Sequence, residues 1–465
     1  MDCDVLVIGS GPGGYRAAVL AALRGRKTVI AEQATWGGCC LNRGCVPKKD
    51  WYHSARLLAA ADQFAGRGID GSVHGDLAQA WRHQHRVVKT VRDSYQSYLK
   101  RLGIVAVTGQ ASFTGPHALV LQPSETSITA SSVIIATGSR PMVPQGFTVV
   151  PGKILHSDLL FDEPVPEGRR ALIVGGGVVA IEFAYILRKF GCDVRWVARS
   201  DPFARKDFSS AGLSQLRQGL ADVGVVPTIA GVRALAATPT GVRLTTDQAE
   251  IWDADWALLA TGRQAVTDGL GLETIGVRRD DRGFIVVDAE LKTHADGVYA
   301  LGDCVAGPMT ANRALYEAGV VVDNIVRPGA RRRDLTRVPA AIYSAVELAR
   351  VGLTEEQAED QGLEPAIGFA AFATSPRALG QDEPEGYVRI IADLDHGEFL
   401  GGEVVGAEAG ELIHMLSAAP RIGGLRHLAS TSYNHPSRTE EFQNAVETLA
   451  AKWKLEEYVF GEKQG

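Results

Sequence analysis

The chain reads VLVIGSGPGG over residues 5–14, an apolar run that ends in a glycine turn. Residues 5–8 are all aliphatic, which is typical of a strand buried on both faces of a sheet. Residues 15–23 then favour a helix, and a second apolar run at 28–32 favours a strand. Strand, glycine turn, helix and strand in this order predict a βαβ unit that binds a dinucleotide.

The glycine turn has the spacing of a pyrophosphate cradle. Gly9, Gly11 and Gly14 permit a tight turn and a close approach of pyrophosphate to the helix N-terminus. Glu32 ends the second strand, where a carboxylate can accept the hydroxyl groups of a ribose. Because strand, helix and acid stand in register, we interpret the turn as a nucleotide site rather than a chance glycine pattern.

The pattern returns once, as ALIVGGGVVAIEF at residues 171–183. Gly175 and Gly177 repeat the turn, and a strand predicted at 193–198 follows the second helix. That strand ends without an acid and is followed by Arg199 and Arg205. A terminal acid favours NAD, whereas arginines can pair with the 2′-phosphate of NADP. We therefore expect NADPH at the second turn, with NADH possible.

The two units define the organisation of the chain. Each is followed by a strand that ends in Ala-Thr-Gly, at 136–138 and 260–262, and a further strand at 297–303 is expected to return to the first sheet. The fold class predicted is α/β, with two Rossmann-like dinucleotide-binding domains plus a C-terminal α+β domain. The predicted segments are 1–145 for the first part of the first nucleotide-binding domain, 146–267 for the second domain, 268–335 for the return segment and 336–465 for the C-terminal domain.

Composition narrows the class of protein. The 465 residues exceed what one core supports, and 45% apolar with 22% charged residues is ordinary for a globular protein. A net charge of -6 gives no electrostatic reason to expect nucleic acid or an anionic membrane surface as a partner. No apolar run approaches a membrane span, and the N-terminus enters a strand without a basic leader. The six cysteines are too unevenly placed for a secreted disulfide framework, so we expect the cytoplasm.

A cysteine-rich segment, GGCCLNRGCVPKK at residues 37–49, follows the first βαβ unit. Cys40 and Cys45 lie near no further cysteine pair, so the usual four ligands of zinc are missing and no metal site is predicted. A redox disulfide and a set of buried structural thiols both remain open on this segment alone. Thiol–disulfide exchange would need one accessible thiolate and a partner linked to an electron source.

Near the C-terminus the sequence HPSRTEEF places His435 five residues before Glu440. A histidine, whose ordinary pKa lies near neutral, can take a proton from a thiol and return it, and a carboxylate can orient its ring.

In combination, these motifs resemble the flavin disulfide reductases, the pyridine nucleotide-disulfide oxidoreductase family that contains glutathione reductase, trypanothione reductase and dihydrolipoamide dehydrogenase. The resemblance runs from Asp4 to about Phe442. It implies FAD on the first cradle, a nicotinamide dinucleotide on the second, and a homodimer joined by the C-terminal domain. It also implies that Cys40 exchanges with substrate and that Cys45 lies against the flavin.

The resemblance assigns the remaining candidate residues by position. Lys49 matches a lysine near flavin N5, Glu182 its carboxylate partner, and His435 with Glu440 the acid–base pair that serves the opposite subunit. The implied FAD contacts are Gly9, Gly11, Gly14, Glu32, Gly38, Cys39, Lys49, Gln110, Ala111, Thr137, Gly138 and Asp303, of which Asp303 would bind the ribityl chain. The implied NADP contacts are Gly175, Gly177, Val178, Glu182, Arg199, Arg205 and Gly262.

The sequence has features of two subfamilies that act on different substrates. The sequence CVPKK at 45–49, the arginine pair and a cleft tyrosine at Tyr95 resemble glutathione reductases. The form GPGGY at 11–15 instead resembles dihydrolipoamide dehydrogenases, and Pro12 and Val19 stand where glutathione reductases place a serine and an arginine that hold glutathione. Arg16 on the same helix either meets an anionic part of another disulfide or is simply solvated.

Three departures lie close to the expected chemistry. Cys39 replaces the usual threonine before the first redox cysteine, either as a small-residue replacement or as a third exchanging thiol. Arg43 replaces an aliphatic residue, and its charge could stabilise a nearby thiolate. Val178 replaces the tyrosine that gates nicotinamide in glutathione reductases.

The sequence therefore predicts an FAD-dependent enzyme that reduces a low-molecular-weight disulfide with NADPH through Cys40 and Cys45. The first alternative is a dihydrolipoamide dehydrogenase that acts with NAD on free or carrier-bound lipoyl groups. The second is a flavoprotein partner that docks on a lipoyl or thiol carrier protein, with turnover secondary.

Overall fold

A computed structural model of the chain describes residues 1–461. Its strands are β1 (Asp2–Ile8), β2 (Thr28–Glu32), β3 (Val105–Thr108), β4 (Gln110–Gly115), β5 (Ala118–Gln122), β6 (Thr126–Ile135), β7 (Ser139–Pro141), β8 (Ile154–His156), β9 (Arg170–Val174), β10 (Asp193–Ala198), β11 (Pro227–Ile229), β12 (Val232–Thr238), β13 (Gly241–Thr246), β14 (Ile251–Ala254), β15 (Trp256–Leu259), β16 (Arg263–Ala265), β17 (Val298–Ala300), β18 (Ala340–Ile342), β19 (Leu348–Gly352), β20 (Pro365–Ala371), β21 (Tyr387–Asp393) and β22 (Phe399–Val405).

The α-helices are α1 (Pro12–Leu23), α2 (Gly38–Arg43), α3 (Cys45–Ala60), α4 (Leu77–Arg101), α5 (Ser157–Asp162), α6 (Val178–Lys189), α7 (Ser210–Asp222), α8 (Ala311–Val326), α9 (Glu355–Asp360), α10 (Pro376–Gly380), α11 (Ala409–Ala418), α12 (Gly424–Ser430), α13 (Glu440–Trp453) and α14 (Glu456–Phe460). No helix within residues 1–461 is long and apolar enough to cross a membrane.

The described chain divides into two compact units. The first comprises residues 1–54, 75–175 and 232–335, and the second comprises residues 55–74, 176–231 and 336 onward.

The first unit contains a seven-stranded sheet in the order β3-β2-β1-β6-β5-β4, with β17 paired to β6. β1 runs parallel to β2, with Val5 opposite Thr28, and parallel to β6. β17 is also parallel to β6, with Val298 opposite Val133, so the predicted return of the late strand to the first sheet is confirmed.

Successive side chains of β1 pack in two different hydrophobic cores, one on each face of the sheet. Val5 and Val7 pack with α1 and α8 on one face, whereas Leu6 and Ile8 pack with β4, β5 and β6 residues on the other. Side chains alternate across a strand, so a strand covered on both faces needs apolar residues at every position. This explains the unbroken aliphatic run in the sequence.

Helix α1 begins at Pro12, three residues before the predicted start. Proline suits the first helical turn because its fixed φ matches the helix and its missing N–H would have no intrahelical partner there. The extended conformation of Gly11 immediately before it completes the turn.

Smaller sheets complete the first unit. β15 runs parallel to both β8 and β9. The meander β12-β13-β14 is antiparallel, and β7 pairs with β16.

The second unit contains β10 and β11 in parallel and an antiparallel five-stranded sheet in the order β18-β19-β22-β21-β20. Helix α13 covers β20 and β21 with one apolar face, formed by the fully buried residues Phe442, Ala445, Val446 and Leu449. Burial of each larger side chain contributes about 1.5–3 kcal/mol. Gly368 on β20 permits this packing, because a Cβ there would lie 2.3 Å from the carbonyl oxygen of Ala445. The predicted C-terminal α+β domain is thus present.

Candidate active site

The three glycines of the first turn, Gly9, Gly11 and Gly14, serve different purposes. Gly9 has a φ of +102°, and a Cβ there would lie 2.4 Å from the carbonyl oxygen of Ala136. A Cβ on Gly14 would lie 1.9 Å from the carbonyl oxygen of Gly9. A Cβ on Gly11 would meet nothing within 4 Å. The outer glycines are therefore needed by the fold, while Gly11 leaves open space where a pyrophosphate can approach the backbone, so the cradle fits a dinucleotide.

The carboxylate of Glu32 is buried beside this turn. One oxygen accepts hydrogen bonds from the N–H of Ser10 at 2.9 Å and from its hydroxyl at 2.6 Å, and the other accepts from the N–H of Ala34. The Ser10 hydroxyl in turn accepts the N–H of Gly37 at 2.9 Å. Glu32 is thus oriented by the turn and joined through Ser10 to the segment that starts the cysteine-rich helix.

The second turn repeats the pattern. Gly175 has a φ of +137°, and a Cβ there would lie 2.1 Å from the carbonyl oxygen of Ala260. Gly177 is the N-cap of α6, and a Cβ there would again meet nothing within 4 Å. Val178 is the first residue of that helix, and Gly262 has a φ of +110°. The same division between fold-required and open glycines supports a second dinucleotide cradle.

Cys40 and Cys45 form a disulfide with a Cα–Cα distance of 4.7 Å, within the usual range for such bonds. Cys40 lies in α2 and Cys45 opens α3, so the bond joins two consecutive helices. The predicted pairing is confirmed, and for these two residues the alternative of free buried thiols is excluded.

The start of α2 lies against the first cradle. A Cβ on Gly38 would lie 2.6 Å from the Cα of Gly11, so only glycine fits at this contact. Inside α2, the Asn42 side chain donates to the carbonyl oxygens of Trp36 and Gly38 and accepts from Arg92 of α4 at 3.0 Å. The disulfide is therefore fixed directly beside the expected flavin site.

Cys39 is a free, half-buried thiol next to the disulfide. Its Sγ lies 3.7 Å from Oδ1 of Asp158. Burial raises the pKa of Cys39 to about 11, with the positive charge of Arg263 opposing the shift and Asp158 adding to it. The thiol is therefore protonated at neutral pH and is a poor nucleophile.

Asp303 ends a chain of polar contacts that also reaches Cys39. Its Oδ2 accepts the Ser139 hydroxyl at 2.6 Å, Arg263 donates to Ser139 Oγ at 2.8 Å, and Arg263 also donates to Asp158 at 3.0 Å. Sequence reasoning did not single out Ser139, Arg263 or Asp158. Ser139 and Arg263 each follow directly after an Ala-Thr-Gly segment, and that position was the available signal.

The other predicted flavin contacts lie at different points of the first unit. Gln110 is exposed at the start of β4, whereas the side chain of Ala111 packs in the core below the sheet. The Thr137 hydroxyl donates to the carbonyl oxygen of Val266, and Gly138 follows with a φ of +72°. Their roles stay predictions.

Lys49 and Glu182 occupy separate helices. Lys49 lies on α3, one turn after Cys45 and on the same face. Glu182 is buried in α6, where its Oε1 accepts the N–H of Tyr343 at 3.0 Å. Their roles as flavin lysine and carboxylate partner stay predictions.

His435 and Glu440 form the predicted pair, with His435 Nδ1 2.8 Å from Glu440 Oε1. The other Glu440 oxygen accepts the N–H of Ser437 at 2.9 Å. The hydrogen bond from His435 lowers the pKa of Glu440, and the bond from Ser437 adds to the effect. Because Nδ1 is engaged, Nε2 of the exposed imidazole is the nitrogen left for proton exchange.

The predicted substrate residues lie on two helices of the first unit. Tyr95 of α4 stacks on Tyr15 of α1, with ring centroids 4.2 Å apart and planes inclined by 16°. Arg16 lies next to Tyr15 and is exposed. Whether these residues contact substrate stays a prediction.

The two candidate phosphate-binding arginines differ. Arg199 follows β10 directly and is exposed. Arg205 donates from two nitrogens to the carboxylate of Asp207, at 2.9 and 2.6 Å. Asp207 was not singled out by sequence reasoning, although its place two residues after Arg205 was visible. A bound 2′-phosphate would have to compete with this carboxylate.

Comparison with known proteins gives the family. Residues 3–318 match the sequence profile described as pyridine nucleotide-disulphide oxidoreductase, and residues 338–446 match its dimerisation domain. A protein named dihydrolipoyl dehydrogenase from Haloferax volcanii is 35% identical over 458 residues, which cover 96% of this chain and 95% of the relative. Another with that name, from Thermus scotoductus, is 34% identical over 96% of this chain and 97% of its own length.

Solved structures agree on the fold. LpdA from Mycobacterium tuberculosis aligns with a TM-score of 0.89 at 24% identity, over 96% of this chain and 99% of its own. The HOCl-induced flavoprotein disulfide reductase RclA from Escherichia coli aligns with a TM-score of 0.83 at 27% identity, with the same coverage. The predicted α/β fold, with Rossmann-like domains and a dimerisation domain, is confirmed. The chain therefore belongs to the pyridine nucleotide-disulfide oxidoreductase family and is a flavin-dependent disulfide oxidoreductase with Cys40–Cys45 as its redox disulfide.

Proposed function

We propose that the enzyme interconverts dihydrolipoyl and lipoyl groups, free or on a carrier protein, with a nicotinamide dinucleotide as the other redox partner. The observation that carries this proposal is the Cys40–Cys45 disulfide in a chain that aligns over nearly its whole length with proteins named dihydrolipoyl dehydrogenase. Pro12 and Val19, in place of the glutathione-holding serine and arginine, also favour a substrate other than glutathione.

FAD would lie along the first cradle, with Gly11 beneath the pyrophosphate, Glu32 at a ribose and Asp303 at the ribityl chain. When bound, FAD supplies the electron relay between the nicotinamide and the Cys40–Cys45 disulfide. Lys49, one turn after Cys45, would place a positive charge beside the flavin.

The thiol chemistry follows from the cysteine pair. One thiolate of a dihydrolipoyl group attacks Cys40 Sγ, which breaks the disulfide, forms a mixed disulfide and releases Cys45 as a thiolate. The second lipoyl thiol then attacks the mixed disulfide, closes the lipoyl ring and releases Cys40. The two electrons lost by the dithiol remain on the cysteine pair, and the reverse sequence reduces a disulfide substrate.

His435 would act as the acid–base group of this exchange. Its Nε2 accepts the proton of the attacking substrate thiol, and Glu440 on Nδ1 stabilises the resulting imidazolium. We propose a homodimer in which each His435 serves the partner subunit, supported by the match of residues 338–446 to a dimerisation domain.

A second candidate is an NADPH-dependent reductase of a small disulfide. It is favoured by Ala198 at the end of β10, where NAD enzymes carry an acid, and by Arg199 and Arg205 beyond it. A carrier-docking flavoprotein with little turnover remains a third expectation, and the cytoplasm remains the expected compartment.

A steady-state assay of the purified yellow enzyme tests these candidates. It pairs NAD⁺ or NADP⁺ with dihydrolipoamide, and NADH or NADPH with lipoamide or glutathione disulfide. Turnover confined to lipoyl substrates supports the proposal, whichever dinucleotide serves. Fast NADPH-dependent reduction of glutathione disulfide with slow lipoamide turnover would replace it by the second candidate. Flavin reduction without turnover of any free thiol would favour a carrier protein.

A further inference from the structure

The redox helix α2 is held by helix α5 at two points. Asp158 and Asp162 stand four residues apart on α5, and Cys39 and Arg43 stand four residues apart on α2. Residues at this spacing share one face of a helix. Asp158 lies 3.7 Å from Cys39 Sγ, and Asp162 contacts Arg43, so the two faces meet in register.

The second point is an ion pair. Arg43 Nε lies 2.8 Å from one carboxylate oxygen of Asp162 and 2.6 Å from the other. Burial opposes the charged guanidinium, but the hydrogen bond and charge of Asp162 outweigh it and raise the pKa of Arg43. The arginine is thus charged and fixed, although about a third of its side chain is exposed.

Arg43 lies close to both redox cysteines in the sequence. It stands three residues after Cys40, on the same face of α2, and two residues before Cys45. A positive charge near a cysteine stabilises its thiolate and thereby the reduced state of a disulfide pair. The negative charge of Asp162 offsets part of that effect.

We propose that Arg43, held by the positioning residue Asp162, sets the stability of the thiolate released when the Cys40–Cys45 bond opens, and with it the reduction potential of the couple. Reduction adds two electrons to the S–S bond and leaves one thiolate and, with one proton, one thiol. Because the reduction potential belongs to the Cys40–Cys45 couple, its measurement does not depend on the lipoyl assignment.

The sign of the effect distinguishes tuning by charge from simple support of the helix. Arg43→Gln removes the cation, so the thiolate is less stable and the disulfide harder to reduce. Asp162→Asn removes the offsetting anion, so the thiolate is more stable and the disulfide easier to reduce. Arg43→Lys keeps the charge and should restore most of the value lost in Arg43→Gln. If the ion pair only supported the helix, Arg43→Gln and Asp162→Asn would shift the reduction potential of the disulfide in the same direction.

The experiment equilibrates the FAD-loaded enzyme with graded ratios of reduced and oxidised dithiothreitol. Reduced Cys40 and Cys45 are trapped with iodoacetamide and quantified by peptide mass spectrometry. Arg243→Gln and Asp253→Asn, which break an exposed ion pair between β13 and β14, are matched charge controls. Flavin content and thermal unfolding confirm that each variant is folded and loaded.

We expect the equilibrium constant for reduction to fall about threefold to tenfold in Arg43→Gln and to rise in Asp162→Asn. A tenfold change corresponds to about 30 mV for a two-electron couple. In the reduced enzyme at neutral pH, the alkylation rate of Cys40 should likewise fall in Arg43→Gln and rise in Asp162→Asn. Shifts of the same sign in both variants, or shifts no larger than those of the controls, would overturn the proposal.

Discussion

Replacing Asp207 by asparagine tests which dinucleotide the second cradle accepts. Arg205 is bound through two nitrogens to Asp207, so the guanidinium would have to leave this carboxylate or share itself with a 2′-phosphate. If NADPH is the coenzyme, Asp207 competes with it. Asp207→Asn should then improve NADPH binding, whereas NADH, which lacks the phosphate, should be unaffected.

The size of the effect follows from the exposure of the pair. Two unit charges 4 Å apart interact by about 4 kcal/mol at an effective dielectric of about 20 and by about 1 kcal/mol in water. The side chains of Arg205 and Asp207 are 24% and 44% exposed, so the lower value applies. About 1 kcal/mol corresponds to roughly a fivefold lower KM for NADPH. Arg205→Ala should cost about 1.5–3 kcal/mol of phosphate binding, or about 10–150-fold in kcat/KM.

The assay measures kcat/KM for NADPH and NADH with one disulfide substrate, for the parent enzyme, Asp207→Asn and Arg205→Ala. Asp253→Asn removes an exposed acid of the first unit and controls for net charge. Equal changes for the two coenzymes in both variants would show that Arg205 does not bind a phosphate. The NADPH-dependent candidate would then lose the support that Arg205 gives it.

Three further predictions address the flavin cradle and the thiol chemistry. Gly11→Ala should lower the flavin content with little change in thermal unfolding of the apoprotein, because a Cβ at Gly11 would meet no protein atom within 4 Å. Gly9→Ala should instead destabilise the apoprotein itself, because a Cβ at Gly9 would clash with the backbone. Cys39→Thr should change turnover less than twofold, and Cys39 should resist alkylation at pH 7, because its pKa is raised to about 11; a large loss of turnover would make it an exchanging thiol. Glu440→Gln should lower kcat about 10²-fold or more, the usual range for acid–base catalysis. The hydrogen bond from His435 lowers the pKa of Glu440 below its ordinary value of 4.5, so this carboxylate is ionised at neutral pH. Its support of His435 should be lost only as the pH falls through the lowered pKa. A decline of kcat in the parent enzyme near neutral pH through protonation of Glu440 would contradict this.

Local patterns predicted much of the fold. The aliphatic run of β1 and the glycine turn after it are set by neighbouring residues, so both were readable from the sequence, and β10 occupies the predicted 193–198. Helix α1 begins three residues before its predicted start, because Pro12 favours the first helical turn. His435 and Glu440 lie five residues apart, and their contact was likewise predictable.

The pairing of β17 with β6 was predicted, but side-chain contacts between distant segments were not. Asp158, Arg263 and Ser139 come from three separate parts of the chain, and only the paired strands bring them together. The Arg205–Asp207 pair was visible in sequence, but an acid two residues from an arginine gives no sign by itself that the two side chains bond.

The relatives favour a different substrate class from the one predicted from the redox-centre motifs. The sequence favoured an NADPH-dependent reductase of a small disulfide, and the relatives, named dihydrolipoyl dehydrogenase, support the alternative better. The glycine-turn form GPGGY, which resembles dihydrolipoamide dehydrogenases, agrees with the names of these relatives.

The hydroxyl of Ser10 serves two partners at once, as donor to Glu32 and as acceptor from the N–H of Gly37. The carboxylate proposed to bind the ribose and the turn before α2 therefore share one hydrogen-bonding atom. A substitution of Ser10 would therefore disturb both the orientation of Glu32 and the turn in front of the cysteines. A change at position 10 that suits one of these two places would thus alter the other as well, which limits how far either can change alone.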